Sequence, residues 1–239
     1  MSARSANLLG RQWRNSEQLH AGRIRDKISS RHFVPVTPLT VTVPGMAAPA
    51  RLAACLLNIS AGREQSTVQA VVTAAARAIR TEGHRAAVLH AFADPEYDRS
   101  VITICGELAG LEAAVVAAGV VAYRLISVVG PPAAHPRLGA VDLLPVHPVT
   151  QDVSLTECGA SARNIAVALN NRVPGSAFFF YGGADPAGRR LATRRRELGW
   201  FESAVRPGAV ADLGQAGPAL GLTGAGATPY MTNVNHCNH

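Results

Sequence analysis

The stretch GPPAAHPRLGAVD, residues 130–142, decides how the rest of the chain is interpreted, because it combines a stiff backbone with one histidine. Its three prolines fix their own φ angles, and its two glycines permit turns that other residues resist. Pro136 also restricts the backbone of His135 to extended conformations. An imidazole with an unperturbed pKa of about 6.5 suits a general base near neutral pH. His135 is therefore the first candidate for chemistry, and the alternative is a histidine that only packs or caps.

Strand-like and helix-like segments alternate on both sides of this loop. Apolar or β-branched runs typical of strands occur at residues 52–57, 86–92, 101–106 and 142–149. Residues 67–83 repeat apolar side chains at three- and four-residue steps, and residues 109–128 have the composition of a buried amphipathic helix. The order β, α, β, β, α, β predicts an α/β (α+β) fold. It would be a ferredoxin-like βαββαβ sandwich with a mainly antiparallel sheet and helices packed on one face.

The chain after residue 150 gives weaker signals. A helix is predicted over residues 156–170 with Ser154 as its cap, followed by a strand over residues 177–181. Its four consecutive aromatic residues alternate between both sheet faces, which indicates a core strand and not a surface that stacks RNA bases. We expect an arginine-bearing helix near residues 187–199 and then a largely irregular link up to residue 228. Residues 229–235 have the composition of another strand beginning.

The positive charge is concentrated at the N-terminus. Residues 1–50 hold seven basic side chains and two acidic ones, a net charge of +5 out of +7 for the whole chain. The remaining +2 gives no charge argument for nucleic-acid binding by the body of the protein. An Arg- and Ser-rich segment that is poor in acids is typical of a mitochondrial or plastid transit peptide, and the alternative is a disordered tail. We therefore expect the protein in the cytoplasm, or in an organelle if this segment is a targeting peptide.

Membrane insertion and metal binding are not expected from the sequence. The most apolar stretch, residues 111–129, is interrupted by Glu112 and Arg124 before it reaches the ~20 apolar residues that span a bilayer. The four cysteines lie singly, without the paired spacing of a zinc site or the density of a disulfide framework. His236, Cys237 and His239 are too few ligands on a chain end to indicate a metal site.

Five segments together resemble the formiminotransferase N-terminal subdomain family. They are the histidine loop with the strand after it (130–149), NISAGR (58–63), YDRSV (97–101), ECG (157–159) and RRRELGWF (194–201). The resemblance covers roughly residues 52 to 235 and implies the same ferredoxin-like architecture. It also implies the family's activity, in which a formimino group moves from formiminoglutamate to N5 of tetrahydrofolate. Tetrahydrofolate would be the co-substrate, no metal would be required, and His135 matches the family's catalytic histidine.

Composition at the N-terminus and the resemblance over the rest of the chain together set the expected domain boundaries. Residues 1–50 would be an N-terminal extension, residues 51–228 the formiminotransferase N-terminal subdomain, and residues 229–239 the truncated start of a second subdomain. Since the family's substrate groove lies between two subdomains, the alternative function is a non-catalytic folate-binding or protein-interaction relative that lacks the second one. A homodimer is expected, because an unfinished two-subdomain unit would leave apolar surface exposed.

Two arginines near the histidine are candidates for substrate binding. Arg137 could pair with a carboxylate of glutamate or folate through its planar, bidentate guanidinium, and the alternative is a loop-fixing ion pair with Asp142. Arg99 and Asp98 lie in the second loop beside the predicted site, and Arg99 is a further candidate for carboxylate recognition.

Short polar residues complete the predicted site. Asn58 and Ser60 lie where a strand meets a helix N-terminus, a place where backbone N–H groups hold anions, and the alternative is helix capping. Gly139 is included because it permits a turn within the histidine loop. Five arginines at positions 189, 190, 194, 195 and 196 form either a solvated helix face or a surface that attracts a polyglutamate tail of folate.

Overall fold

The computed structural model describes residues 50–129, 137–199 and 211–230, which form one mixed sheet with four helices. The strands are β1 (Ala53–Ile59), β2 (Ala86–Asp94), β3 (Arg99–Gly106), β4 (Val141–Pro148), β5 (Ala177–Gly182), β6 (Leu213–Gly214) and β7 (Leu222–Ala227). The helices are α1 (Gln65–Thr81), α2 (Leu108–Leu125), α3 (Leu155–Arg172) and α4 (Leu191–Glu197). The seven strands lie side by side in the sheet in the order β2-β3-β1-β4-β7-β5-β6.

The first four strands and two helices form the predicted βαββαβ unit. β1 lies between β3 and β4 and is antiparallel to both, and β2 is antiparallel to β3 on the outer edge. β7 then continues the sheet beyond β4 and is parallel to both β4 and β5. The α+β class and the mainly antiparallel sheet are therefore confirmed, with a parallel extension that the sequence did not predict.

The main hydrophobic core lies between the sheet and the first three helices. Apolar side chains of α1 recur at the predicted steps and are buried there, as are Leu111 and Val115 of α2 and Ile165 of α3. By length and composition α2 could cross a membrane, and half of it is buried inside the protein. Tyr123 of α2 is buried and reaches the sheet. Its hydroxyl oxygen lies 2.5 Å from Oγ1 of Thr223 in β7 and forms a hydrogen bond with it.

A second, smaller core lies on the opposite face of the sheet. Phe178 of β5 belongs to the main core, while Phe179 and Tyr181 face the other side and pack with Leu198, which follows α4. The prediction of a buried aromatic strand is confirmed, and α4 is placed within the predicted range 187–199. Helix α4 therefore covers the part of the sheet around β5 that the first three helices do not cover.

The prediction of a largely irregular link up to residue 228 is wrong for β7. Leu222–Ala227 consists mostly of small residues with low strand propensity, yet it lies in the middle of the parallel part of the sheet. Any Cβ added at Gly224 would collide with the Phe179 ring, and one at Gly226 would collide with the Tyr181 ring. The glycines are therefore explained by two large rings on the neighbouring strand, and the sequence of β7 alone does not show those rings.

Helix α3 begins with the cap that the sequence predicted. The Ser154 hydroxyl accepts a hydrogen bond from the Glu157 backbone N–H at 3.2 Å. The Glu157 carboxylate in turn accepts one from the Ser154 N–H at 2.9 Å. Arg51 donates to the same carboxylate at 2.8 Å. This reciprocal arrangement is a capping box, and it satisfies N–H groups that the first turn of a helix leaves without partners.

We expect the Glu157→Gln variant to lose the part of the acid sensitivity that comes from this cap. Hydrogen bonds from the Ser154 backbone, and then from Arg51, lower the pKa of Glu157 to about 2. Because an unfolded glutamate has a pKa of about 4.3, the stabilisation is complete above that pH and is lost as pH falls toward 2. Urea unfolding at pH 7, 4 and 3 should show a shallower decline for the variant. The control Glu96→Gln, in the exposed β2–β3 turn, should decline like the wild type.

Candidate functional site

Both ends of the histidine loop are attached to one short segment, residues 219–222, which we call the loop clamp. Residues 130–136, including His135, lie outside the described residues, so the site is built from the loop's two ends. Before the loop, the Val128 N–H donates to the Ala219 carbonyl at 2.8 Å. After it, the Leu222 N–H donates to Leu138 at 2.8 Å, and the Ala140 N–H donates to Leu220 at 2.9 Å. The clamp continues directly into β7, so the sheet holds both ends of the loop.

Two glycines meet where the loop reaches the clamp. Gly139 and Gly221 form an isolated antiparallel bridge. Gly221 has a φ of +67°, and a Cβ added to it would overlap the Leu138 carbonyl oxygen. A Cβ at Gly139 would overlap the Leu222 carbonyl oxygen. The structure thus gives Gly139 a backbone reason, close approach of two chains, in addition to the turn expected from sequence.

Ser60, which follows β1, also holds the C-terminal end of the histidine loop, at Gly139 and Ala140. Its hydroxyl is buried and donates to the Gly139 carbonyl at 2.7 Å, and its backbone N–H donates to Ala140 at 2.9 Å. Asn58, two residues earlier, is half-buried and its side-chain amide donates to the Leu56 carbonyl at 3.2 Å. The structure therefore brings Ser60 to the base of the histidine loop, whereas Asn58 contacts its own strand.

Asp98 links the second loop to the first turn and to the histidine loop. Its Oδ1 accepts hydrogen bonds from the backbone N–H groups of Gly62 at 2.8 Å and Arg63 at 3.1 Å. Its Oδ2 lies 3.8 Å from Nη1 of Arg137, the first described residue of the histidine loop after residues 130–136. In this structure the backbone N–H groups of the turn after β1 thus hold the carboxylate of Asp98.

A buried ion cluster lies where β3, β4 and α4 come together, and we call it the Asp142 cluster. Oδ2 of Asp142 lies 3.0 Å from Nη1 of Arg99 and 3.0 Å from Nη2 of Arg195. The Asp142 side chain is only 4% exposed. The β1–β4 register skips Asp142, pairing Asn58 with Leu143 and Ile59 with Val141. A bulge of this kind re-aims a side chain, and bulges are common beside active sites.

The Asp142 cluster bears on which carboxylate Arg137 pairs with. The possible ion pair between Arg137 and Asp142 does not form, because Arg137 pairs with Asp98 and Asp142 pairs with Arg99 and Arg195. Burial removes water from the Arg195 guanidinium and lowers its pKa, and Arg99 adds to this effect while Asp142 opposes it.

Arg195 and Asp142 were not among the site residues predicted from sequence. Arg195 was noted only as one of five arginines, and no local signal separates it from its neighbours.

The other arginines of that group divide into structural and exposed ones. Arg194 is buried and donates to the Phe180 carbonyl at 3.1 Å and to Asp212 at 2.7 Å, which fastens α4 to β5. Arg189 pairs with Asp185 at 2.7 Å. Arg190 and Arg196 are exposed. The solvated-face interpretation therefore applies to these last two positions and does not apply to Arg194.

The match to a protein family follows the same region. The model of the formiminotransferase domain, N-terminal subdomain, matches residues 52–228, which include the histidine loop, its clamp and the Asp142 cluster. The chain belongs to this family. Among the described residues of this formiminotransferase subdomain, no group of three or more His, Cys, Asp or Glu side chains is placed to hold a metal ion.

Individual relatives are similar at low identity. A formimidoyltransferase-cyclodeaminase of Sus scrofa is 28% identical over 190 residues, which cover 77% of this chain and 34% of that protein. A formiminotransferase cyclodeaminase-like protein of Arabidopsis thaliana is 30% identical over 206 residues, covering 77% and 66%. A glutamate formimidoyltransferase of Streptococcus pyogenes serotype M1 is 26% identical over 191 residues, covering 78% and 62%. The chain thus spans between about a third and just under two thirds of the length of these relatives.

We expect Gly221→Ala to destabilise the protein more than Gly188→Ala. Both glycines have positive φ, +67° and +63°, so alanine at either position costs about 1–2 kcal/mol of backbone strain. Only at Gly221 does the new Cβ also overlap a carbonyl oxygen, which should add ~1–3 kcal/mol. Free energies of unfolding from urea titrations measure the difference. Equal losses in the two variants would show that the close approach at the loop clamp is unimportant for stability.

Proposed function

We propose that this protein is a folate-dependent transferase of the glutamate formimidoyltransferase type. It would move a formimino group from formiminoglutamate to N5 of tetrahydrofolate. The observation that carries the proposal is the family match over residues 52–228, which contains a histidine loop attached at both ends to the sheet. Three relatives that are 26–30% identical carry names of the same reaction class.

In the proposed reaction His135 acts first as a base and then as an acid. N5 of tetrahydrofolate attacks the formimino carbon, a new C–N5 bond forms, and His135 takes the N5 proton. The tetrahedral adduct then collapses with cleavage of the bond between that carbon and the glutamate nitrogen. His135 returns its proton to the departing nitrogen, so glutamate and 5-formiminotetrahydrofolate leave and the imidazole is regenerated. Such assistance contributes roughly 100- to 10,000-fold to the rate.

The residues around the loop base have separate parts in this proposal. Arg99 and Arg137 offer guanidinium groups to the carboxylates of formiminoglutamate and folate. Asp98 fixes Arg137 through the 3.8 Å ion pair and is itself fixed by two backbone N–H groups. Ser60 and Gly139 act as positioning residues, because their contacts set the path of the backbone that leaves the loop.

Asn58 would contribute to the wall of the binding site. It lies half-buried on the sheet face opposite the main core, next to Val101 of β3 in the β1–β3 register. A short amide at this position can donate to or accept from a polar part of folate or formiminoglutamate.

We expect the His135→Ala variant to lose 5-formiminotetrahydrofolate formation by about 100- to 10,000-fold while it still binds tetrahydrofolate. Product formation would be followed after mixing the full chain with tetrahydrofolate and formiminoglutamate, and binding would be measured by calorimetry. His84→Ala is the matched control, because His84 lies at the edge of the helical layer, where its ring contacts Glu82 at 2.7 Å. It should turn over like the wild type.

The wild-type result separates the two function classes. Tetrahydrofolate binding without turnover would favour the non-catalytic folate-binding relative and contradict the transferase. No binding of tetrahydrofolate would contradict both. Turnover that is equal in the wild type and in His135→Ala would keep the transferase and exclude His135 as its base.

A further inference from the structure

His147, near the C-terminal end of β4, is held in the way that metal-binding histidines are held. The residue is 9% exposed, and its Nδ1 lies 2.9 Å from the carbonyl oxygen and 3.3 Å from the hydroxyl of Thr228, which directly follows β7. Because a carbonyl oxygen only accepts hydrogen bonds, the shorter contact requires that Nδ1 carries a proton and donates it. Nε2 of the neutral ring then keeps its lone pair. Histidines that bind a metal through one ring nitrogen commonly donate to a backbone carbonyl through the other.

Nε2 of His147 is available for a ligand. No described residue forms a hydrogen bond with this atom, and it is not one of the buried side-chain atoms that lack a partner. The Tyr230 ring packs edge-on against the imidazole, with the two ring centroids 5.6 Å apart. Tyr230 is 55% exposed and is the last described residue of the chain. The segment that follows residue 230 therefore starts directly beside the His147 ring.

The nine residues of that segment, MTNVNHCNH (231–239), hold three further side chains that bind metals: His236, Cys237 and His239. They lie outside the described residues. Five residues separate Tyr230 from His236, and a chain spans at most ~3.3–3.6 Å per residue, so the Cα atom of His236 lies within about 22 Å of that of Tyr230. This length is enough for the segment to turn back to the His147 ring.

Three imidazoles and one thiol have the composition of a zinc site. Zn²⁺ binds both His nitrogen and Cys sulfur, and its structural sites are tetrahedral with four protein ligands. The chain end supplies only three such ligands, and His147 supplies the fourth from a rigid strand. Mg²⁺ and Ca²⁺ prefer oxygen ligands, so this ligand set does not suit them.

We propose that His147, His236, Cys237 and His239 together bind a zinc ion. Nε2 of His147 is one ligand, and Cys237 binds as the thiolate after releasing its proton to water. The site fastens the segment after residue 230 to the ends of β4 and β7. His147 lies six residues along β4 from the start of that strand, about 20 Å from the end of the histidine loop. Zinc binding at this place is therefore independent of the proposed transferase activity.

Zinc binding by the full chain tests the site directly. Metal-free protein would be titrated with Zn²⁺ in competition with a chelating dye. The informative variant is His147→Asn, because the asparagine amide can still donate to the Thr228 carbonyl but has no counterpart of Nε2. We expect it to bind zinc at least about 10- to 100-fold less tightly, since the loss of an outer-shell partner alone costs that much.

Two further variants complete the titrations. Cys237→Ser removes the thiolate and should also weaken zinc binding by at least about tenfold. His84→Ala is the control, because His84 follows α1 and its ring contacts Glu82. It should bind zinc like the wild type.

Thermal unfolding separates this site from zinc that is bound by the chain end alone. Unfolding removes His147 from residues 236–239, so zinc should bind the folded protein more tightly and stabilise it. If the folded protein binds tenfold more tightly, saturating zinc raises the Tm by about 3–6 °C. We expect this rise in the wild type and in His84→Ala, and its loss in His147→Asn. Wild-type zinc affinity in folded His147→Asn or in Cys237→Ser would overturn the proposal, as would a wild-type Tm that saturating zinc leaves unchanged.

Discussion

The arrangement of the site depends on a set of backbone hydrogen bonds between the histidine loop and residues 219–222. Val128 on one side of the loop, and Leu138 and Ala140 on the other, all bond to this short segment. Fixing both ends of a chain segment to one rigid frame restricts the conformations available between them. Because the segment leads directly into β7, a change that displaces β7 would also displace the loop. The stability of the sheet and the geometry of the site are therefore coupled through one strand.

Ion pairs of Arg194 and Arg195 position helix α4 beside the Asp142 cluster. Helix α4 is short, and its place on β5 is fixed by Arg194 as well as by apolar packing, through contacts to the Phe180 carbonyl and to Asp212. That placement carries Arg195 to Asp142. Removing one partner from a buried ion pair leaves an uncompensated charge and typically costs ~3–5 kcal/mol. A change that displaces α4 would therefore remove Arg195 from Asp142, and loss of the Arg195–Asp142 ion pair would weaken the attachment of α4 to the sheet.

The sequence predicted those parts of the protein that follow from local pattern. The βαββαβ order, the Ser154 cap and the buried aromatic strand each leave a signal within a few residues. β7 has no such local signal. Its glycines leave room for the rings of Phe179 and Tyr181, which lie on another strand. Arg195 and Asp142 are separated by 53 positions, so their contact depends on the whole fold. His135 and the arginines could be proposed from sequence, whereas the pairing of each arginine could not.

The Asp142 cluster is buried on the face of the sheet opposite the main core. On the face opposite the main core, α4 packs on β5, while Leu56, Val101 and Thr103 of β1 and β3 are half-buried. The Asp142 cluster lies between these two regions, since Arg195 comes from α4 and Arg99 from β3. Apolar surroundings strengthen the electrostatic attraction between Asp142 and the two arginines, which keeps α4 and β3 joined to the start of β4.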